Sequence, residues 1–238
     1  MFYLIGTGIS FDLTLASVEA LRSCDEVYLE RYTNPIADAR TGELERLVKK
    51  EITIISRDKV EGSFLVERAA QADVALLASG DPLTATTHIT LLMDAKSKGI
   101  KTKVFHNSSV YAAAPGKAGL QMYKFGRTAT LVNPRPGYRP TSSLDVIRQN
   151  LSMGMHSLVL LDTEPAPMEA GYALDMLSEF GHAVVLSRLG EEDEKVSYGK
   201  IGELAGWDLG KVPFCIIIPA KLHSVEEEFL ATLRKEHI

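Results

Sequence analysis

The chain has 238 residues, of which 45% are hydrophobic and 24% are charged. These values are ordinary for a folded globular protein and exclude a disordered chain. The formal net charge of -5 argues against direct binding to nucleic acid, which needs a basic surface. No apolar run reaches the ~18 residues of a membrane-spanning helix, and the N-terminal residues lack the layout of a secretion signal. We therefore expect a cytoplasmic protein without a membrane segment.

Strands and helices alternate through the first half of the chain. Apolar runs predict strands at residues 2–6, 26–30, 52–56, 74–78 and 101–105. Stretches with helical spacing separate these runs, and in the last of them Ile89, Leu92, Met93 and Lys96 step by three or four residues. Such alternation predicts a parallel sheet with helices on both faces.

The composition changes after residue 113. Residues 115–127 are rich in glycine and only weakly periodic, which is typical of a linker. The alternation then resumes and ends with a helix that begins at Ser224, where Ser224 and Glu227 predict a capping box. We therefore predict an α/β fold of two α/β domains, residues 1–115 and 116–238, with mainly parallel or mixed sheets and a ligand cleft between them.

Neither the cysteines nor the histidines form a pattern that indicates a metal or catalytic site. Cys24 and Cys215 lack metal-type spacing, so we expect two reduced structural thiols. The six histidines form no ligand pair, so we expect no metal site. No G-x-S-x-G motif is present, which leaves a hydrolase unsupported.

Turns that follow apolar strands are the informative places, because ligands of parallel sheets bind beyond the carboxyl ends of the strands. The first such turn contains Gly6 and Gly8, which suggests dinucleotide binding. However, Phe11 stands where the third glycine of that fingerprint belongs, although Glu30 could serve as its acidic residue. A nicotinamide-dependent oxidoreductase and a plain tight turn therefore both stay open.

The second informative turn is SGDPLTATT, residues 79–87. Gly80 permits unusual backbone angles, and Pro82 stiffens the chain around Asp81. The pattern predicts a rigid loop near a helix start. It leaves open whether Asp81 binds only local N–H groups or also a ligand.

Six stretches together resemble one branch of a known family. They are YLIGTG, SGDPLTATTH, SSVYAAA, YKFGRTATL, PTSSLDVI and PAKLHSVEEEFL. This set resembles the archaeal diphthine synthases, which belong to the tetrapyrrole-methylase-like class III S-adenosylmethionine methyltransferases. The resemblance runs from end to end and implies a homodimer that uses S-adenosylmethionine, releases S-adenosylhomocysteine and needs no metal. It also implies that the substrate is the amino group of a modified histidine of translation elongation factor 2, and that the product is diphthine. A tetrapyrrole methyltransferase of the same fold is the alternative.

The resemblance also implies a set of cofactor-binding positions. These are Ile9, Asp81, Thr84, Ser109, Val110, Leu161, Leu189 and Phe214. It assigns no catalytic residue. Asp81 and Glu164 are candidates for accepting the proton of the amine, and Tyr111, Tyr123 and Tyr138 are candidates for contacting a cationic product.

Overall fold

The computed structural model describes residues 1–35, 37–134, 137 and 141–235. The chain divides into two compact units, Met1–Val110 and Tyr111–Ile238. Each unit contains one five-stranded sheet, which confirms the predicted α/β class. The domain boundary between residues 115 and 116, and the cleft, stay predictions.

The sheet of the first unit is entirely parallel. Its strands are β1 (Phe2–Gly6), β2 (Glu26–Glu30), β3 (Thr53–Ile55), β4 (Val74–Ala78) and β5 (Thr102–Phe105). Their spatial order is β3-β2-β4-β1-β5. All five residues of β4 are buried, because successive side chains enter the two separate apolar clusters on either face of the sheet. This order brings the carboxyl ends of β4, β1 and β5 side by side.

Helices connect these strands. They are α1 (Leu15–Ser23), α2 (Ala37–Val48), α3 (Arg57–Glu61), α4 (Phe64–Ala69) and α5 (Ile89–Ser97). Helix α5 buries Leu91, Leu92 and Ala95, whereas Met93 is 63% exposed and Ile89 is also exposed. The predicted helix is therefore present, and its buried face is formed by Leu91, Leu92 and Ala95.

The sheet of the second unit is mixed. Its strands are β6 (Ala129–Leu131), β7 (Ser157–Leu161), β8 (His182–Ser187), β9 (Lys195–Lys200) and β10 (Phe214–Ile218). In the order β6-β7-β10-β8-β9, only the first pair is parallel. The helices are α6 (Val110–Lys117), which begins in the first unit, α7 (Ser142–Ser152), α8 (Ala170–Met176), α9 (Ile201–Leu204) and α10 (Ser224–Lys235).

The segment predicted as a linker is mostly ordered structure. Helix α6 continues through Pro115 to Lys117, and a 3-10 turn covers Met122–Lys124. Ala118 and Leu120 are buried. The expectation was wrong because the glycines do not form a flexible run, since Gly116 lies inside α6 and Gly119 lies in the turn that follows it.

A buried carboxylate fastens this segment to α10. Glu226 is fully buried and accepts hydrogen bonds from the Gln121 N–H (3.1 Å), the Lys124 ammonium (2.5 Å) and the His223 N–H (2.7 Å). Glu226 thus makes the capping contact predicted for Glu227, one residue earlier. Burial by itself raises the pKa of Glu226, but the hydrogen bonds outweigh it and lower the pKa to about 2.

In the described part of the chain, no helix is both long enough and apolar enough to cross a membrane.

Candidate functional site

Two glycines join the turns that follow β1 and β4. The N–H of Gly8 donates to the carbonyl of Gly80, and the N–H of Gly80 donates to the carbonyl of Gly8, both at 3.1 Å. Gly8 has φ of 71° and Gly80 has φ of 69°, a left-handed region that favours glycine. The first and fourth strands therefore continue into a short antiparallel bridge beyond the sheet edge.

Gly6 is required for this close approach. A Cβ atom at Gly6 would lie 2.4 Å from the Gly80 carbonyl oxygen and 2.8 Å from Cδ of Pro82. No side chain fits there while the two turns stay together.

Asp81 ties its own turn to the turn after β5. Its Oδ1 accepts from the Leu83 N–H (3.0 Å) and the Thr84 hydroxyl (3.2 Å). Its Oδ2 lies 2.7 Å from Nδ1 of His106 and accepts from the Asn107 N–H at 3.3 Å. Asp81 therefore binds local groups and also a distant turn, and its contact with a ligand stays a prediction.

The environment of Asp81 keeps it ionised. Burial by itself raises the pKa of this carboxyl group, but the hydrogen bonds from Leu83, His106 and Asn107 outweigh burial and hold the pKa below its ordinary value. The bend therefore carries a fixed negative charge at neutral pH.

The turn after β5 also holds the first turn. The side-chain amide of Asn107 donates to the carbonyls of Gly6 (3.2 Å) and Asp12 (2.8 Å). The N–H of Ile9 donates to Oγ of Ser108 at 3.2 Å. Three strand-end turns are thus joined into one hydrogen-bonded platform, which we call the three-turn platform (residues 6–9, 79–84 and 106–110).

Two buried polar side chains, His88 and Glu30, contact the turn after β4. Nδ1 of the buried His88 lies 3.0 Å from the carbonyl of Pro82, and its Nε2 lies 3.0 Å from the hydroxyl of Tyr32. Burial lowers the pKa of His88, so this ring is a neutral brace. The buried Glu30 accepts from the Ser79 N–H at 3.4 Å.

Five of the predicted cofactor positions lie on the three-turn platform. They are Ile9, Asp81, Thr84, Ser109 and Val110. Ser109 lies against the open side of Gly80, since a Cβ placed on Gly80 would be 3.8 Å from the Ser109 Cα. Val110 begins α6. The platform brings them together, and their roles in binding stay predictions.

The other three predicted positions lie at one edge of the second sheet. Leu161 ends β7 and Phe214 begins the antiparallel neighbour β10, and both are buried in the same apolar cluster. Phe214 pairs with Ser187 at the end of β8, and Leu189 follows two residues later between Arg188 and Gly190, both at positive φ. The antiparallel register brings the start of β10 beside the ends of its two neighbours.

The remaining candidates from the sequence are one carboxylate, Glu164, and three tyrosines. Tyr123 is 79% exposed in the 3-10 turn, and Tyr111 is half-buried in α6. Glu164 precedes a proline after β7, and its N–H donates to Asp162. Tyr138 lies outside the described residues. In the ranges that the structure describes, no three His, Cys, Asp or Glu side chains are grouped as metal ligands.

Sequence reasoning missed the contributions of His106 and Asn107. No local sequence pattern singles out either residue. Their importance follows from β5 being the neighbour of β1 in the sheet, which the linear pattern does not specify.

Two features of the platform leave polar groups available to a ligand. Gly80 offers bare backbone, and the Oγ atom of Ser79 is buried without a hydrogen-bond partner in the described portion. The ionised Asp81 suits a cationic or donor-rich ligand. Backbone and loop groups placed at the carboxyl ends of parallel strands are typical of ligand-binding α/β proteins.

Comparison with known proteins narrows this class. The model of the tetrapyrrole (corrin/porphyrin) methylases matches residues 1–205. The chain is 39% identical to the diphthine synthase of Methanothermobacter thermautotrophicus, over 98% of this chain and 95% of that protein. It resembles the crystal structure of a diphthine synthase with a TM-score of 0.88 at 32% identity, covering 99% of this chain and 96% of that chain. It also resembles the crystal structure of a putative diphthine synthase from Entamoeba histolytica with a TM-score of 0.89 at 33% identity, covering 98% of each chain.

The chain therefore belongs to the tetrapyrrole methylase family and, within it, to the diphthine synthases. It is an S-adenosylmethionine-dependent methyltransferase. This confirms the resemblance found in the sequence and favours it over a nicotinamide-dependent oxidoreductase.

Proposed function

We propose that this methyltransferase acts on the amino group of the modified histidine of translation elongation factor 2 and forms diphthine in diphthamide biosynthesis. The observation that carries the proposal is the 39% identity to a diphthine synthase along 98% of the chain. Because the proposed substrate is a translation factor, the reaction is proposed to take place in the cytoplasm.

The bound S-adenosylmethionine supplies an activated methyl group on a positively charged sulfur. In the proposal, the backbone of Gly80 and Ser109 contacts this ligand, and Ser79 Oγ provides an unused hydrogen-bonding group. Asp81 contributes its negative charge near the sulfonium and keeps the bend rigid through its four hydrogen bonds. Holding the reacting atoms in line is the main catalytic requirement, since the donor already carries the reactivity.

Incubation of the protein with S-adenosylmethionine and elongation factor 2 that carries the unmethylated modified histidine tests the proposal. Mass spectrometry of the factor should show mass increments of whole methyl groups at that histidine. A protein that methylates uroporphyrinogen and leaves the factor unchanged would support the tetrapyrrole alternative and contradict the proposal.

We further propose that the protein acts as a homodimer. Supporting this, Val225 and Phe229 are exposed one turn apart on α10, and Met122 and Tyr123 are exposed in the neighbouring 3-10 turn. Exposed apolar surface of this kind is typical of an interface. Light scattering should give twice the mass of one chain, and a single-chain mass at micromolar concentration would contradict the proposal.

A further inference from the structure

His106 forms a carboxylate–histidine pair on the three-turn platform. Its Nδ1 lies 2.7 Å from Oδ2 of Asp81. The side chain of His106 is 67% exposed, whereas that of Asp81 is 12% exposed. A partly buried, ionised carboxylate therefore holds one nitrogen of an imidazole whose remainder is open to solvent.

This contact fixes the tautomer of the ring. Because Asp81 is ionised and can only accept, the hydrogen-bond network assigns the proton of neutral His106 to Nδ1. Nε2 then carries a lone pair, and it has no hydrogen-bond partner among the described residues. A carboxylate that orients an imidazole in this way also stabilises the imidazolium that forms when Nε2 takes a proton.

Asp81 itself is a poor proton acceptor. Its two oxygens already accept four hydrogen bonds, and its pKa is held below the ordinary value. Of the two partners in the pair, only the imidazole keeps a lone pair that no hydrogen bond among the described residues uses.

The use of only one nitrogen distinguishes His106 from structural histidines of the same chain. Both ring nitrogens of the buried His88 lie within hydrogen-bonding distance of a partner, Pro82 and Tyr32. The buried His156 likewise uses both nitrogens.

We propose that Nε2 of His106 is the general base that accepts the proton of the substrate amine, an inference that rests on the proposed function. The N–H bond of the substrate ammonium breaks, its electron pair stays on nitrogen, and the proton bonds to Nε2. The freed pair then forms the N–C bond to the methyl carbon while the C–S pair leaves with sulfur. The imidazolium returns the proton to solvent through its exposed face.

The substitution His106→Asn removes the proposed base, Nε2, and keeps a hydrogen-bond donor for Asp81. The Asn amide can still donate to Asp81 from near the position of Nδ1, but nothing replaces Nε2. We expect single-turnover methyl transfer to slow by about 10²–10³-fold, with the affinity for S-adenosylhomocysteine unchanged within about threefold by calorimetry. The matched control is His182→Asn, at the start of β8 in the second sheet, which should keep the wild-type rate.

Two further measurements exclude a merely structural effect. Imidazole added to His106→Ala should restore part of the lost rate. Long-range ¹H–¹⁵N NMR spectra of the ligand-free protein should show the Nδ1–H tautomer of His106 in the wild type and its loss in Asp81→Asn.

A wild-type rate in His106→Asn, or a rate loss in His106→Ala that imidazole does not restore, would overturn the inference while leaving the methyltransferase assignment intact. An inactive wild-type protein that also fails to bind S-adenosylhomocysteine would instead count against the proposed function.

Discussion

Gly6→Ala should damage both the stability of the protein and its ligand site. The added Cβ would lie 2.4 Å from the carbonyl oxygen of Gly80, whereas ordinary contacts begin near 3.4 Å. The turns must therefore separate by about 1 Å, which breaks the two backbone hydrogen bonds between Gly8 and Gly80. At about 1 kcal/mol for each bond, with about 1 kcal/mol of residual strain, the free energy of unfolding should fall by about 3 kcal/mol.

Urea unfolding and calorimetric titration with S-adenosylhomocysteine measure the two effects. For a chain of this size the loss corresponds to a melting temperature lower by about 6–12 °C, and we expect the affinity for the ligand to fall more than tenfold. The matched control is Gly42→Ala on the exposed face of α2, where a Cβ meets nothing within 4 Å. That variant should gain about 0.5–1 kcal/mol. Wild-type stability and affinity in Gly6→Ala would show that the close approach of the turns is not needed.

Four other predictions concern charge and burial. Asp81→Ala should lower the affinity for S-adenosylmethionine while leaving the protein folded, and unchanged calorimetric affinity in a folded variant would remove its role. The pKa of Asp81 is lowered in the folded state, so its carboxylate stabilises the fold at pH values above the unfolded-state pKa. The difference in unfolding free energy between the wild type and Asp81→Asn, measured in urea, should therefore close as the pH falls through the folded-state pKa. The pKa of Glu226 falls from 4.5 to about 2, so Glu226→Gln should cost about 3 kcal/mol at neutral pH, and a gap that persists at pH near 2 would refute this. Burial raises the pKa of Cys24 to about 11 and that of Cys215 to about 12, so a thiol reagent at neutral pH should modify both only after unfolding, and rapid modification of the folded protein would contradict their burial.

Much of the fold could be predicted from the sequence because its central strands are continuous apolar runs. Strands β1, β2 and β4 coincide with the predicted runs to the residue. Strand β9 was missed because an edge strand has one neighbour and needs little apolar surface, and Lys195–Lys200 is mostly polar.

The site could be predicted only where the signal is local. Gly80 and Asp81 stand out because glycine and proline flank one carboxylate after a buried strand. The partner of that carboxylate, His106, comes 25 residues later in the chain. Their contact depends on β4 and β5 lying on either side of β1, and strand order is set by tertiary packing that a linear pattern does not encode.

A crystal structure with S-adenosylhomocysteine tests the central claim most directly. The account predicts that the compound lies against the three-turn platform, touching the bend at Gly80 and Asp81 and the backbone near Ser109. A bound compound that makes no contact with any of the three turns would contradict it.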